Sequence, residues 1–365
     1  MDVVELCSAF IKAKSVTPSD DGLLDFISGF LKDFTAVRVD EGEVKNLFLY
    51  KKFGEGAHLN FAGHVDVVPA GEGWKEEPFG ATVKEGYLYG RGAQDMKSGV
   101  AAFVSALKNV EQFNGTLSVM LTSDEEGDAK FGTLSILKYL KENSLLPDFC
   151  VVAEPTCEKR FGDAIKIGRR GSINGVLTIN GRQGHAAYPE KSINPVNILA
   201  SRLDKLAGYR LDNGDDAFAP SEIVITDIRG GLEVTNVTPG SVKIMFNVRN
   251  STKTDAASLE NYINNLFEGV DFSLKLSQSA FPFVTDKSSK IVKQLEKAIF
   301  DITAKETKHS TAGGTSDARY IAPYGIDVVE FGVINDTIHA PNERVSIEEL
   351  QSLHAVFSQL IKKFS

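Results

Sequence analysis

Five side chains in this sequence have the chemistry of metal ligands, although they lie far apart along the chain. They are two histidines and three carboxylates: His64, Asp95, Glu126, Glu154 and His339. Imidazole and carboxylate ligands suit zinc and its first-row neighbours. One catalytic zinc normally takes three ligands from protein, so five ligands fit two metal ions that share an aspartate. Two-metal sites of this kind hold a bridging water that ionises near neutral pH and becomes the nucleophile.

Two further carboxylates stand beside these candidate ligands. Asp66 follows His64 by two residues, and a carboxylate at that spacing can hold the imidazole through its second nitrogen. Glu125 precedes Glu126 and is placed to move a proton from water to a leaving amine. Two alternatives remain open: His64 is a structural histidine at a strand end, or residues 124–128 form a solvated acidic turn.

The candidate ligands follow apolar runs that have the length of buried strands. Strands are predicted at residues 44–50, 58–61, 116–122, 149–153 and 328–332, and helices at 3–13, 23–31, 100–110, 132–141, 291–302 and 347–361. Ligands of an open α/β sheet bind at the carboxyl ends of its strands, where His64, Glu126 and Glu154 are expected. The glycine-rich segment 90–99 is not a dinucleotide fingerprint, because Asp95 occupies its third glycine position.

The middle of the chain has a different pattern. Strands at 173–180, 223–228, 241–248 and 272–276, with helices at 195–206 and 256–267, follow the βαββαβ order of a ferredoxin-like split motif. At 365 residues the chain is also long for a single core. We therefore predict a discontinuous catalytic domain, residues 1–171 and 282–365, and an inserted domain at 172–281. Residues 184–189 and 236–239 are predicted to be loops of the insert.

The bulk composition limits the class of protein. A formal net charge of −9 argues against a nucleic-acid partner, and three scattered cysteines argue against a disulfide framework. The first residues lack the pattern of a signal peptide, and no apolar stretch approaches the ~20 residues of a membrane span. We therefore expect a cytoplasmic protein without a membrane partner.

Five motifs carry a family resemblance. They are Gly63-His64-Val65-Asp66, Gly90-Arg91-Gly92-x-x-Asp95-Met96-Lys97, Asp124-Glu125-Glu126-Gly127, Ala153-Glu154-Pro155 and His339-x-x-Asn342-Glu343. Together they resemble the dizinc metallopeptidase family, which includes aminoacylase, glutamate carboxypeptidase and acetylornithine deacetylase. The resemblance implies an α/β fold with a zinc-peptidase-like mixed sheet between helices. It also implies that the ferredoxin-like insert is a lid and forms a homodimer.

The resemblance assigns the metal ligands one by one. His64 and Glu154 would bind one Zn²⁺, Glu126 and His339 would bind a second, and Asp95 would bridge the two. The family therefore implies two Zn²⁺ per chain, for which Co²⁺ could substitute.

The remaining site residues are also assigned by resemblance. Asp66 would orient His64, and Glu125 would act as general base and acid. His185 would reach the site of the partner subunit and stabilise the oxyanion. Five residues would hold the carboxylates and polar groups of the substrate: Arg169, Tyr188, Asn236, Thr315 and Asn335.

Within the family, residues 123–128, 168–172, 184–189, 313–317 and 329–332 are similar to those of members that act on a succinylated diamino-diacid. The implied reaction is hydrolysis of N-succinyl-LL-2,6-diaminopimelate to succinate and LL-2,6-diaminopimelate, a step toward lysine and peptidoglycan. Two alternatives remain. The chain is another dizinc amidohydrolase, such as an acetylornithine deacetylase or a carboxypeptidase, or it is a non-catalytic metal-binding protein on this fold.

Overall fold

The computed structural model describes residues 1–365, which form two compact units. The first unit comprises Met1–Gly168, Thr285–Ser310 and Ser316–Ser365, and the second comprises Arg169–Val284 and Thr311–Thr315. The two long boundaries fall three residues from the predicted ones, at 168 against 171 and at 284 against 281. The segment Thr311–Thr315 belongs to the second unit, whereas the sequence pattern placed it in the catalytic domain.

The strands and helices are numbered here in chain order. The strands are β1 Thr35–Arg38, β2 Asn46–Lys52, β3 Ala57–His64, β4 Thr82–Lys84, β5 Tyr87–Tyr89, β6 Gly115–Thr122, β7 Phe149–Val152, β8 Ala164–Lys166, β9 Gly168–Arg169, β10 Ser172–Asn180, β11 Gly184–His185, β12 Ile223–Gly230, β13 Val237–Thr238, β14 Ser241–Val248, β15 Phe272–Ala280, β16 Phe283–Val284, β17 Lys308–Ser310, β18 Asp327–Glu330 and β19 Arg344–Ser346. The α-helices are α1 Val3–Lys12, α2 Leu23–Phe30, α3 Lys97–Lys108, α4 Thr133–Glu142, α5 Pro195–Ala200, α6 Ala256–Leu266, α7 Lys290–Thr303, α8 Ala318–Ile321 and α9 Ile347–Phe364.

The first unit is built on a mixed eight-stranded sheet in the order β1-β2-β6-β3-β7-β18-β8-β17. Its central strands β6, β3, β7 and β18 run parallel. The register pairs His64 with Thr122 and Ala62 with Val152, so these three strands end at the same edge. Parallel strands covered on both faces are continuous apolar runs, which is why their sequences showed them clearly.

Helices cover both faces of this sheet. Phe61 of β3 packs against Phe103 of α3 and Phe357 of α9, with ring centroids 5.6 and 5.3 Å apart. Helices α1 and α7 contribute to the same buried cluster. The buried residues of α4 lie outside that cluster, and α4 covers the opposite face of β2 and β6. The predicted α/β fold with a mixed sheet between helices is confirmed.

The second unit contains an antiparallel sheet in the order β12-β14-β10-β15, and its own apolar cluster includes residues of α5 and α6. The chain order β10-α5-β12-β14-α6-β15 is the predicted βαββαβ. The predicted helix at 195–206 is wrong in its second half. Helix α5 ends at Ala200. Beyond it the turns are tighter than those of an α-helix, because the Arg202 N–H donates to the Leu199 carbonyl three residues back. Residues 184–185 and 237–238, predicted as loops, pair as the short strands β11 and β13.

Candidate metal centre and active site

The edge where β3, β6 and β7 end collects the predicted ligands of the first unit. His64 is the last residue of β3, Glu126 follows the end of β6, and Glu154 follows the end of β7. Asp95 and His339 come from loops that precede α3 and β19. Ligand atoms of His64, Asp95 and Glu126 all lie within 4.8 Å of one another.

The Asp95 carboxylate lies between the two imidazoles. Its Oδ1 is 3.1 Å from His64 Nε2, and its Oδ2 is 3.4 Å from His339 Nε2. His339 Nε2 is also 2.9 Å from Glu126 Oε1, and His64 Nε2 is 3.9 Å from Glu154 Oε1. Each imidazole thus has one carboxylate of its own and shares Asp95.

The charges of this cluster shift its pKa values strongly. Hydrogen bonds to Asp95 and Glu126 raise the pKa of His339 to about 10. Burial lowers the pKa of His64, but the hydrogen bond to Asp95 and the charges of Asp66 and Asp95 outweigh burial and hold this pKa well above its usual range. For Asp95, burial is likewise outweighed by hydrogen bonds from His339 and His64, which hold its pKa well below the usual range.

Two other carboxyl groups of the cluster shift upward. Burial raises the pKa of Glu125 to about 8, and the negative charges of Asp317 and Asp95 add to the rise while His64 opposes it. Burial and the charge of Asp95 also raise the pKa of Glu154 well above its usual range. Without a cation, the cluster therefore binds protons that its carboxylates would not hold in water.

The donor set fits a metal centre. It combines two imidazoles with three carboxylates, and these carboxylates pair with histidines and with no lysine or arginine. Carboxylates that are largely removed from water and lie this close together require a compensating cation or protonation. Imidazole and carboxylate are ligands of divalent first-row metals.

Asp66 acts differently from the prediction. His64 Nδ1 donates to the backbone carbonyl of Asp66 at 2.9 Å, whereas the Asp66 carboxylate is 3.6 Å away. That carboxylate instead accepts the backbone N–H of Glu126 at 3.1 Å and of Glu125 at 3.4 Å. Asp66 therefore ties the end of β3 to the turn that carries Glu125 and Glu126.

We expect Asp66→Asn to weaken metal binding and turnover by about 10–100-fold, the usual cost of losing a partner that orients ligands. The uncharged amide accepts the Glu125 and Glu126 amides more weakly than the carboxylate does. Zinc titration of metal-stripped protein and initial rates measure both losses.

Asp148→Asn is the matched control for that substitution. The Asp148 carboxylate accepts the backbone N–H of His58 at 2.8 Å, at the other end of the same strand. Its replacement should leave metal affinity and rate unchanged. An Asp66→Asn protein with the same zinc affinity and rate as this control would show that Asp66 has no role in the site.

Sequence reasoning overlooked several buried polar residues around the cluster. Arg91 and Glu343 form a buried ion pair at 2.7 Å, although the sequence analysis gave neither a role. Buried Asp317 accepts a hydrogen bond from the Thr133 hydroxyl at 2.7 Å, and its negative charge helps to raise the pKa of Glu125. All three lie in motifs that also contain candidate ligands or a glycine-rich turn. That position was the one sign in the sequence that they contribute to the site.

The other predicted site residues fall into three places. Asn335 of the first unit donates through Nδ2 to the carbonyl of Pro155 at 3.5 Å, next to Glu154. In the second unit the rings of His185 and Tyr188 lie 5.7 Å apart, and the Asn236 carbonyl accepts the amide of the intervening Ala186.

The last two predicted residues also share a neighbourhood in the second unit. Arg169 donates through Nη1 to the carbonyl of Gly314 at 3.0 Å, so its guanidinium lies beside the backbone of Thr315.

No helix of the chain has both the length and the apolar character needed to cross a membrane.

Comparison with known proteins identifies the family of the chain. The sequence model of Peptidase family M20/M25/M40 matches residues 60–363. The chain belongs to this family. A family member from Sulfurimonas denitrificans, a succinyl-diaminopimelate desuccinylase, is 61% identical over 361 residues, covering 99% of each chain.

Solved structures of the family share the fold. The M20 family metallo-carboxypeptidase Sso-CP2 from Sulfolobus solfataricus superimposes with a TM-score of 0.80 at 16% identity, covering 100% of this chain and 99% of that one. The Bacillus subtilis YXEP protein, described as a dinuclear metal binding peptidase, has a TM-score of 0.74 at 15% identity, covering 98% and 96%. At these identities the likeness concerns the fold alone.

Proposed function

We propose that this chain hydrolyses N-succinyl-LL-2,6-diaminopimelate to succinate and LL-2,6-diaminopimelate, in the synthesis of lysine and peptidoglycan precursors. The observation that carries the proposal is the relative of that activity, which is 61% identical over 99% of both chains. The imidazole and carboxylate cluster of the first unit supplies the chemistry that such an amide hydrolysis needs.

The cluster would hold two Zn²⁺, with Co²⁺ able to replace them. His64 and Glu154 would bind one ion, and Glu126 and His339 the other. Asp95 would be shared, which its position between the two imidazoles supports. When bound, the two ions would polarise the scissile carbonyl and supply hydroxide near neutral pH. Membership of the family and the close approach of His64, Asp95 and Glu126 support metal use.

Glu125 would carry the proton. Glu125 is half-buried beside the ligand Glu126, and desolvation raises its pKa to about 8, so that the metal-free carboxyl holds a proton at neutral pH. Bound cations lower that pKa, because opposite charge favours the ionised form. The carboxylate then takes a proton from the attacking water and returns it to the nitrogen of the departing diaminopimelate.

The second unit would hold the substrate and join two chains. The carboxylates and polar groups of the substrate would be bound by Arg169, Tyr188, Asn236 and Thr315, together with Asn335 of the first unit. Arg169 suits a carboxylate, because guanidinium binds carboxylate through paired hydrogen bonds. His185 would stabilise the oxyanion in the site of a partner subunit.

The supporting surface is β12, an edge strand of its sheet that exposes Val224 and Ile228. Unpaired edges of this kind pair readily with a second copy. Sedimentation should show a homodimer, and an active monomer would contradict a role for His185 in the partner's site. The cytoplasmic location stays a prediction.

Substrate preference separates this proposal from its alternatives. We expect kcat/KM for N-succinyl-LL-2,6-diaminopimelate to exceed that for N-acetylornithine by at least about 10³-fold, because a site built for charged groups rejects ligands that leave them unpaired. Release of succinate and of acetate measures the two rates. A preference for the acetyl substrate or for a peptide would assign the chain to another amidohydrolase of the family. Metal binding without any hydrolysis would favour a binding protein.

Metal binding should release protons, because the metal must displace them from the ligands. At pH 7 the metal-free protein holds a proton on His339, whose pKa is about 10, and on His64. Zinc affinity should therefore rise with pH up to about pH 10, as the competing proton is lost.

Calorimetric zinc titrations at pH 7, in two buffers of different ionisation enthalpy, count the released protons. We expect at least about one proton per chain from the histidines. The His339→Ala variant serves as the control, since it should release fewer. Zinc binding with no proton release at pH 7 would contradict the linked titration.

A further inference from the structure

We infer that the buried ion pair of Arg91 and Glu343 is a clamp that holds the Asp95 loop against the His339 loop and so positions both the shared ligand Asp95 and His339. Arg91 is 2% exposed and Glu343 is fully buried, and Arg91 Nη1 lies 2.7 Å from Glu343 Oε2. Neither side chain reaches a predicted ligand atom. The inference rests on the metal centre of the proposed function.

Glu343 fixes the loop that carries Asp95. Its carboxylate accepts three backbone N–H groups: those of Gly92 at 3.1 Å, Gln94 at 2.9 Å and Asp95 at 3.1 Å. The Glu343 carbonyl also accepts the Gly90 amide. The Glu343 carboxylate thus fixes the backbone of the loop between β5 and α3, including the amide of the shared ligand Asp95.

Arg91 fixes the loop that carries His339. Its guanidinium donates to the carbonyl of His339 at 3.2 Å and more weakly to that of Ala340 at 3.4 Å. It also donates to the carbonyl of Ala70 at 3.1 Å. The Trp74 ring covers the guanidinium, with Cζ 5.1 Å from the ring centroid. Trp74 Nε1 donates to the same Ala70 carbonyl at 2.8 Å.

The His339 loop needs such external support. His339 and Asn342 have φ of +59° and +63°, a left-handed conformation that residues with side chains rarely adopt. His64 and Glu154, in contrast, stand at or just beyond the ends of β3 and β7, whose ladder holds them. Loss of the Arg91 contacts should therefore weaken the metal site of His339 and Glu126 more than that of His64 and Glu154.

Zinc titration of metal-stripped variants tests this selectivity without any substrate. We expect Arg91→Lys, which disturbs the support of the His339 loop, to weaken one of the two binding steps by about 10–100-fold, the effect of losing outer partners of metal ligands. The other step should change far less. Glu343→Gln should weaken both steps, because Glu343 holds the backbone of the shared ligand Asp95. His339→Ala identifies the step that Arg91→Lys affects, and adding Arg91→Lys to it should cost the remaining step nothing more.

Asp301→Asn is the matched control, because it breaks the ion pair with Lys363, at 2.7 Å, between α7 and α9. It should leave both steps unchanged. Thermal unfolding of the stripped variants reports on folding, and Arg91→Lys carries the test if Glu343→Gln does not fold. Equal weakening of both steps in Arg91→Lys, or no change in either step, would overturn the clamp. A parent protein that binds two zinc ions without hydrolysing the substrate would refute the proposed function and leave this test intact.

Discussion

Glu125→Gln should retain its metal ions and lose about 10²–10⁴ of its turnover, the contribution of a positioned general acid and base. The amide has nearly the shape of the carboxyl but cannot take a proton from water. The five predicted ligands do not include Glu125, and burial raises its pKa to about 8 in the metal-free protein.

Zinc titration and initial rates measured on the same preparation test this role. The fall should appear in kcat, with zinc affinity changed little. Asp128→Asn is the control, because Asp128 lies on the same acidic turn but is exposed and paired with Lys130. A Glu125→Gln enzyme with substantial turnover would assign the proton transfer to another group.

The pH profile gives a second test of the same group. Below the pKa that Glu125 has in the loaded enzyme, its carboxyl is protonated and cannot act as a base, so kcat should fall as the pH falls. This acidic limb should disappear from the residual activity of Glu125→Gln. An unchanged limb would show that it belongs to another residue.

Asp95→Ala should abolish high-affinity binding of both metal ions and with it the activity. A single ligand shared by two ions contributes to both sites, so its loss should exceed the about 10–100-fold cost of losing an outer partner. Removal of His64 or of His339, each assigned to one ion, should weaken chiefly one binding step.

Equilibrium dialysis of the stripped variants against zinc distinguishes these outcomes. The metal-free protein offers an independent readout, because the hydrogen bond to Asp95 is the main reason for the raised pKa of His339. In Asp95→Ala the pKa of His339 should fall toward its ordinary value, as followed by the imidazole NMR signal. An Asp95→Ala protein that kept one site at full affinity would rule out the bridge.

The sequence predicted the sheet, and the position of three candidate ligands at its edge, because both depend on local patterns. Continuous apolar runs mark β3, β6 and β7, and parallel strands bring their carboxyl ends to one edge. His64, Glu126 and Glu154 therefore had to lie near one another. The short β1, which is mostly exposed, lacks that apolar signal and was missed.

Loop structure was harder to predict, because it depends on contacts between distant segments. Glu343 meets the amide of Asp95 across 248 positions of the chain, and no periodicity reports such a contact. The Asp66 carboxylate was expected on His64, but the turn after β6 offers it backbone amides and the Asp66 carbonyl takes the imidazole instead. The αL conformation of His339 was equally invisible, since glycine and asparagine are its usual signals.

The proposed two-metal centre, formed by His64, Asp95, Glu126, Glu154 and His339, would cleave the succinyl amide. Its most direct test is succinate release from N-succinyl-LL-2,6-diaminopimelate while zinc is added back to the stripped protein. We predict no release without metal and a rise that reaches its plateau near two zinc ions per chain. Full activity in the stripped protein, or zinc-loaded protein that releases no succinate, would contradict the account.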